Sequence, residues 1–336
     1  MNLIIIHNFD CCQMFTVHHH PQKISKYQLD QYLSQGWFRM GQSIFTCHFL
    51  YVHNNVYSTV WIRLNLHKHA WSKRQRKLVR RIESKFEVRV QKAVFDAEKD
   101  RLYERYKTRF KEQMAESIDM SLMNGVDTNI YDTYEVSIYD GGQLIAASFF
   151  DLGVKATASI MGIFDPDYEQ FSLGHYTMLR EIAFSIETGK DYYYPGYIVP
   201  GYARFDYKLR IGEVDYFSPE TRSWKLFSQD NMDSLLSEQL KRKMKGVFER
   251  LQKRKIPVEM MFFPSPPMLF SLIDHVYINS PLCVLCHQED NEDYPLMIDY
   301  DAKQNTFRLY RAGIVLKLLY ESTDDTEVVE KIMKYY

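Results

Sequence analysis

FDPDYEQFSLGHYTMLREI, running from Phe164 to Ile182, is the stretch on which the fold turns. Asp165, Pro166 and Asp167 stop an apolar run, Ser172 reads as an N-cap, and Leu173, Tyr176, Leu179, Ala183 and Ile186 recur at helical spacing. The pattern is a strand that breaks into a loop and then a helix. Such a junction aims bare backbone N–H groups and the positive end of the helix dipole at whatever lies above the sheet, which favours an anion such as a phosphate. An ordinary strand-to-helix crossover leaves the same pattern.

Upstream, DTYEVSIYDGGQLIAASFFDL reads as a hairpin closed at Asp140-Gly141-Gly142, with ATASIMGIFD as the strand after it. Downstream, Thr188-Gly189-Lys190 ends the helix and DYYYPGYIV forms another strand. Three strands, a helix and a strand make an α+β or α/β core. Before this core the pattern predicts a helix over 25–34 and strands in GWFRMGQSIFTCHFLYV and STVWIRLNL. A basic helix or helical turn opened by Ser72 follows, then a longer helix from Asp96 to about Met123. Beyond Pro219 come a charged helix over about Asp233 to Lys253, a Pro-rich turn at Pro264 to Pro267, a hairpin in YPLMIDYDAKQNTFRLYRAG and a last helix. The expected division is an N-terminal subdomain 1–95, a core 96–218 and a C-terminal extension 219–336.

The 336 residues carry 42 Lys+Arg against 43 Asp+Glu, a net charge of −1. That argues against a wholly basic nucleic-acid coat protein and leaves room for one local basic face. The opening MNLIIIHNFD has no basic n-region and reads as a first strand, and no stretch approaches the roughly 18 apolar residues of a membrane helix, so the expected location is cytoplasmic. Five cysteines, an odd number, do not make a disulfide framework. Cys11, Cys12 and Cys47, with His48 and the run His18-His19-His20, offer soft ligands but match no closed four-ligand site. CVLCH, Cys283 to His287, matches a haem-attachment string but lies in an apolar run and reads as core.

Two blocks carry a resemblance. FDPDYEQFSLGHYTMLREI followed by YYYPGYIVPGYARFDYKLRIG resembles the C-terminal signature of the aminoacyl-tRNA:protein transferases, the arginyl and leucyl transferases of the N-degron pathway, and WSKRQRKLVRR resembles a basic segment of the same family. The resemblance implies an α+β, GNAT-like fold (that of the GCN5-related acyltransferases), a mixed sheet flanked by helices whose strand-loop-helix junction receives the acyl donor. It implies aminoacyl-tRNA as that donor and, as acceptor, the α-amino group of a protein N-terminus with an acidic first residue. Family members commonly carry a Cys-x-x-Cys pair near the start; FDCCQMF and IFTCHFL keep only fragments of it, so no iron-sulfur or zinc site is expected.

An aminoacyl ester is already activated, so the enzyme aligns a neutral amine, removes one proton and stabilises an oxyanion, with no covalent intermediate. Candidate catalytic groups are Asp151, Glu181 and Tyr194, although Asp151 could equally cap a turn and Glu181 could pair with Arg180 or Lys208. Lys73, Arg74, Arg76, Lys77, Arg80 and Arg81 are the candidates for tRNA phosphates, with Ser172, Leu173 and Gly174 at the helix start. Tyr197, Tyr207, Lys208 and Arg210 are candidates for acceptor or phosphate, the last two alternating onto one face of a strand or forming a solvated edge. Two other readings stand beside the transferase: an acyl-coenzyme A N-acyltransferase on the same fold, and a non-catalytic relative that binds tRNA or N-termini.

Overall fold

The computed structural model describes residues 16–52, 55–110, 114–228, 235–262, 280–287, 295–302, 304–312 and 316–336. The expected opening strand and the Pro264 to Pro267 turn lie outside these residues. Among the described residues two compact units interleave along the chain, one drawn from 18–46 and 60–227, the other from 16–17, 47–59 and 228 onward. The segment 1–95, expected as one subdomain, is thus shared between them.

In chain order the elements begin with β1 (Thr16–His19), α1 (Lys26–Ser34), β2 (Phe38–Met40), β3 (Ser43–Cys47), β4 (Phe49–Val52), β5 (Asn55–Ser58) and β6 (Val60–Asn65). Ser25 opens α1 through a reciprocal capping box with Gln28, and Ser72, the expected N-cap, opens α2 (Lys73–Glu83) the same way with Gln75. Next come β7 (Glu87–Lys92), α3 (Ala97–Lys107) and α4 (Ile118–Met123). The single helix expected over 96–123 is therefore two, the first closed at Thr108 and the second capped by Ser117, whose side chain accepts from Met120 N–H.

The core follows as β8 (Thr133–Asp140), β9 (Gln143–Leu152), β10 (Ala156–Phe164), α5 (Leu173–Glu187), β11 (Tyr192–Ile198), β12 (Asp215–Ser218) and β13 (Ser223–Leu226). These strands form an eight-stranded sheet in the order β13-β12-β6-β11-β10-β9-β8-β7, mixed because β10 and β11 are parallel while the other described pairs are antiparallel. Alternation along β9 separates the two faces. Phe149 packs with Leu102 and Tyr103 of α3, whereas Phe150 packs with Phe184 of α5. The α+β sheet flanked by helices is the architecture the resemblance implied.

The other unit holds α6 (Leu236–Lys253), β14 (Val258–Phe262), β15 (Leu282–Cys286), β16 (Leu296–Asp301), β17 (Thr306–Ala312), β18 (Leu316–Ser322) and α7 (Asp325–Ile332). β14 to β18 form a five-stranded sheet in sequence order, with Leu240, Met244, Val247 and Leu251 of α6 and Val328 and Ile332 of α7 in its core. The hairpin expected in YPLMIDYDAKQNTFRLYRAG is β16 and β17; a further strand, β18, comes before the last helix.

Candidate active site

The parallel pairing of β10 and β11 is short. Ala156, Thr157 and Ala158 pair with Tyr192, Tyr193 and Tyr194, and there it stops. Beyond it β10 follows β9 as far as Phe164, with a bulge between Ser159 and Met161, while β11 follows β6 as far as Ile198, with its own register shift between Tyr193 and Gly196. Two neighbouring strands in mid-sheet thus part, each leaving one backbone edge without a ladder. Ser159, Ile160 and Met161 are half-buried and Gly162 is exposed, as expected of strand residues that line an opening.

Helix α5 lies across this opening and turns a polar stripe toward it. Thr177, Glu181 and Ser185, spaced four apart, share a face and are buried. Ser185 Oγ lies 2.8 Å from Thr157 Oγ1, and Tyr193 donates to Glu181 Oε2 at 2.7 Å. Among the described residues no well-formed hydrogen bond reaches Glu181 Oε1, although the buried Ser148 hydroxyl on β9 stands close enough to act on the carboxyl. Burial pushes the Glu181 carboxyl up to about 7, against the downward pull of the Ser148, Tyr193 and Ser159 hydroxyls. Ser159 is the first residue of β10 past the shared register, so Glu181 sits where the strands separate.

The start of α5 differs from the expectation. A 3-10 helix, Pro166–Phe171, runs directly into it, and Ser172 joins the two in a left-handed conformation, φ 57° and ψ 42°, with no side-chain cap. Turning the chain there directs the Ser172 side chain away from the N–H groups it was expected to cap. Asp165 instead caps the 3-10 turn by accepting from Asp167 N–H, and Arg105 of α3 clasps Asp165 and Asp167 at 2.7 Å each. The space beside Gly174 is taken by the Phe164 ring, 3.4 Å from where a Cβ would stand, and Leu173 is buried in the core.

FDYKLRIG, expected as a strand, lies in a 3-10 segment, Ala203–Ile211, whose end is tied to α2 by Gln75, donating to the carbonyls of Arg210 and Ile211 at 3.0 Å. Helical turns replace alternation, so Lys208 and Arg210 do not share a strand face. The half-buried Lys208 donates to Tyr197 O at 2.9 Å and lies 5.3 Å from the centres of the Tyr197 and Phe205 rings; burial brings its amine down to about 7. Gly196, at φ +91°, lets it lie there, for a Cβ at that position would stand 3.2 Å from Nζ. Near the start of α5, burial and, after it, the charge of Arg210 lower the His175 imidazole. Tyr207 is 43% exposed, and burial first, then the neighbouring Tyr106 and only after it the Glu181 charge, push its phenol up to about 12.

The three catalytic candidates are not brought together. Glu181 faces the opening from the α5 side, while Asp151 and Tyr194 belong to the opposite face of the sheet. Asp151 accepts from Arg39 at 2.9 Å and from Thr133 at 2.6 Å, all three buried. Tyr194 packs edge-on to Trp224, ring centres 5.5 Å apart, beside Arg63, which itself pairs with Asp215. Sequence reasoning missed Tyr193, Ser148 and Arg39. For Tyr193 a signal was present, since alternation within Tyr192-Tyr193-Tyr194 sends the middle ring to the other face.

The six cations of α2 are exposed, and none is ion-paired with an acidic side chain among the described residues. Arg76 donates to Trp71 O at 2.6 Å and Arg81 to Phe171 O at 2.9 Å. Helix α6 also carries six cations, but Lys241, Lys245 and Arg250 pair with Glu238, Glu249 and Asp325. The α2 run is therefore an unneutralised basic surface, and the α6 run is partly cancelled.

Residues 98–217 match the family model described as arginine-tRNA-protein transferase, C terminus. An aspartate/glutamate leucyltransferase of Leptospira interrogans is 25% identical over 193 residues, 56% of this chain and 73% of that protein. Arginyl-tRNA–protein transferase 1 of Saccharomyces cerevisiae is 36% identical over 74 residues, 22% of this chain and 15% of its own. In this stretch the chain is similar to the aminoacyl-tRNA:protein transferases. The matched stretch contains β10, α5, β11 and the 203–211 segment, and so the whole opening; α2 precedes it. Among solved structures, partial overlaps include an L-PGS from Bacillus licheniformis (11% identity, 41% of this chain and 45% of that one, TM-score 0.33). Another is a GCN5-related N-acetyltransferase from Kribbella flavida (13%, 44% and 61%, 0.25).

As for metals, no cluster of three or more His, Cys, Asp or Glu suited to an ion occurs among the described residues. Cys11 and Cys12 lie outside them. Cys47 is buried with its thiol pushed up to about 12 and its Sγ 3.7 Å from Thr59 Oγ1. Cys283 and Cys286, the pair in CVLCH, are buried in different clusters on β15, as the core reading expects. No helix among the described residues is long and apolar enough to cross a membrane.

Proposed function

We propose that this protein transfers an amino acid, arginine in the first instance, from aminoacyl-tRNA to the α-amino group of a protein N-terminus that bears Asp or Glu. The observation that carries the reading is the buried Glu181 carboxyl, titrating at about 7, under the point where β10 and β11 part. A general base is most effective when its pKa lies near the working pH. The acceptor amine attacks the ester carbonyl in the opening; a C–N bond forms and the C–O bond to the ribose breaks. One amine proton passes to Glu181, directly or through one water, and returns to the ribose oxygen as it leaves. Unladdered backbone N–H groups on the edges of β10 and β11 stabilise the oxyanion.

The remaining candidates take supporting roles. Lys208 and Arg210 receive the carboxylate of the acidic first residue or a donor phosphate, since an arriving anion restores the charge that burial takes from Lys208. The α2 cations hold acceptor-stem phosphates without reading sequence. Asp151 and Tyr194 hold the sheet.

The test is to incubate the protein with total charged tRNA and a peptide beginning with Asp, and to read the mass added. A single added residue is expected, and its mass identifies the amino acid. No transfer from any charged tRNA would overturn the proposal, and thermal protection by acetyl-coenzyme A but not by tRNA would transfer it to an acyl-coenzyme A enzyme. Glu181→Gln should lower kcat roughly 100-fold with the fold retained.

A further inference from the structure

Between α2 and α5 runs a groove of about 400 Å³, separate from the opening over Glu181. Its floor is Val79, Leu179 and Ala183, and the half-buried Trp71 contributes one of its walls. Arg76 and Arg80 line it from α2. Arg76 spends one N–H on Trp71 O and Arg80 its Nε on Arg76 O, which leaves guanidinium donors of both for a ligand. Glu83 also lines it; its Oε1 accepts from Tyr176 at 3.1 Å, and its other oxygen is a further acceptor site.

An aromatic wall, an apolar floor, unneutralised guanidinium groups and a carboxylate acceptor together suit one ligand chemistry, a nucleobase joined to a phosphate. The base stacks on the ring, the phosphate meets the arginines, and an exocyclic amino group of adenine or cytosine donates to the carboxylate. The volume lies at the lower end of the roughly 300–1,000 Å³ of small-ligand sites, enough for one nucleoside. The α5 positions in the groove, Tyr176 to Ala183, lie roughly 6 to 16 Å along the helix from Ser172 at about 1.5 Å per residue. Glu181 lies between those positions on the sheet-facing side of the same helix, so groove and opening are one helix width, roughly 10–12 Å, apart, a distance a few unpaired nucleotides cover.

We infer that this groove is a subsite for one unpaired nucleotide of the donor tRNA, taking an amino-bearing base from its single-stranded 3′ tail before the aminoacylated end reaches the opening. The inference rests on the tRNA-donor reading above. It separates two tasks on one helix pair: the outward cations of α2 hold the duplex, and its groove-side residues hold the tail.

The experiment measures binding of deacylated tRNA, intact or trimmed of its 3′ tail, to the full chain. Trp71→Ala should weaken intact tRNA roughly tenfold and leave trimmed tRNA unchanged, and Trp71→Phe should restore most of the loss. Ala183→Phe, which fills the groove from α5, should act like Trp71→Ala and guards against a folding defect at Trp71. Lys73→Ala with Lys77→Ala should weaken both RNAs alike. Equal loss for both RNAs in the Trp71 and Ala183 variants, or no loss in either, overturns the subsite while the tRNA-donor reading stands. Failure of the unaltered protein to bind either RNA overturns both.

Discussion

Asp151 on β9 and Glu181 on α5 are both fully buried carboxyls of the same layered unit, and each keeps one oxygen without a well-formed hydrogen bond among the described residues. They differ in the company of the other oxygen. Asp151 Oδ1 receives the Arg39 guanidinium at 2.9 Å and the Thr133 hydroxyl at 2.6 Å, whereas Glu181 has hydroxyls alone for company, the Tyr193 phenol on Oε2 and those of Ser148 and Ser159 close by. Burial raises both groups, but only at Asp151 does an adjacent cation oppose it. A buried charge must be compensated or given up. Asp151 is compensated and becomes a clasp; Glu181 gives up its charge near neutrality and becomes a proton site.

The largest expected effect breaks the clasp. Arg39 also donates to Gly41 O and Leu122 O, so it joins β2 to α4 as well as to β9. Arg39→Met strands a carboxyl in the core and should lower the unfolding free energy in urea by about 3–5 kcal/mol. Replacing both partners, Arg39→Met with Asp151→Leu, should recover much of that. A loss under about 1 kcal/mol for the single change would mean that Asp151 needs no cation, and the contrast with Glu181 would collapse.

The second effect has the opposite sign. Glu181 titrates at about 7 in the folded protein and lower when unfolded, so between those values the folded state holds a proton that the unfolded state has released. The stability this contributes is complete below the unfolded pKa and is lost as pH rises through about 7. Glu181→Gln removes the titration and should stabilise the protein relative to the parent by about 3 kcal/mol at about pH 8, and hardly at about pH 5. Lys208, lowered to about 7, contributes the reverse slope above neutrality in both proteins and cancels in the difference. A difference that does not change with pH would show that Glu181 keeps an ordinary carboxylate pKa.

How far these roles were legible in the sequence follows from the distance over which each is written. The hairpin at Asp140-Gly141-Gly142, the helix over 25–34, the helix start at Ser72 and the run of α5 are local signals, and they hold. Arg39 meets Asp151 across 112 positions, a pairing no spacing rule reaches. Glu181 stands next to Arg180 and invited an ion pair, yet adjacent helical positions diverge by about 100°. Arg180 therefore turns outward to Glu187 at 2.8 Å while Glu181 turns in. Lys208 and Arg210 alternate as strand residues do, but the tether from Gln75 to the carbonyls of Arg210 and Ile211 is tertiary, and the segment coils instead.

The smallest effect tests what little company Glu181 has. Tyr193 donates to Oε2 at 2.7 Å, and a donor favours the ionised carboxylate, so the phenol holds the Glu181 pKa below where burial alone would set it. Tyr193→Phe keeps the ring in the core and removes the donor. The acidic limb of the kcat profile for transfer should then move to higher pH by about one unit, equivalent to about 1.4 kcal/mol, with the plateau above it retained. The acceptor amine must also be neutral to react, but it is the same amine in both enzymes and drops out of the comparison. A shift with an intact plateau makes Tyr193 a positioning residue. A lost plateau with no shift would mean that the proton travels through the phenol, and that Glu181 does not act alone.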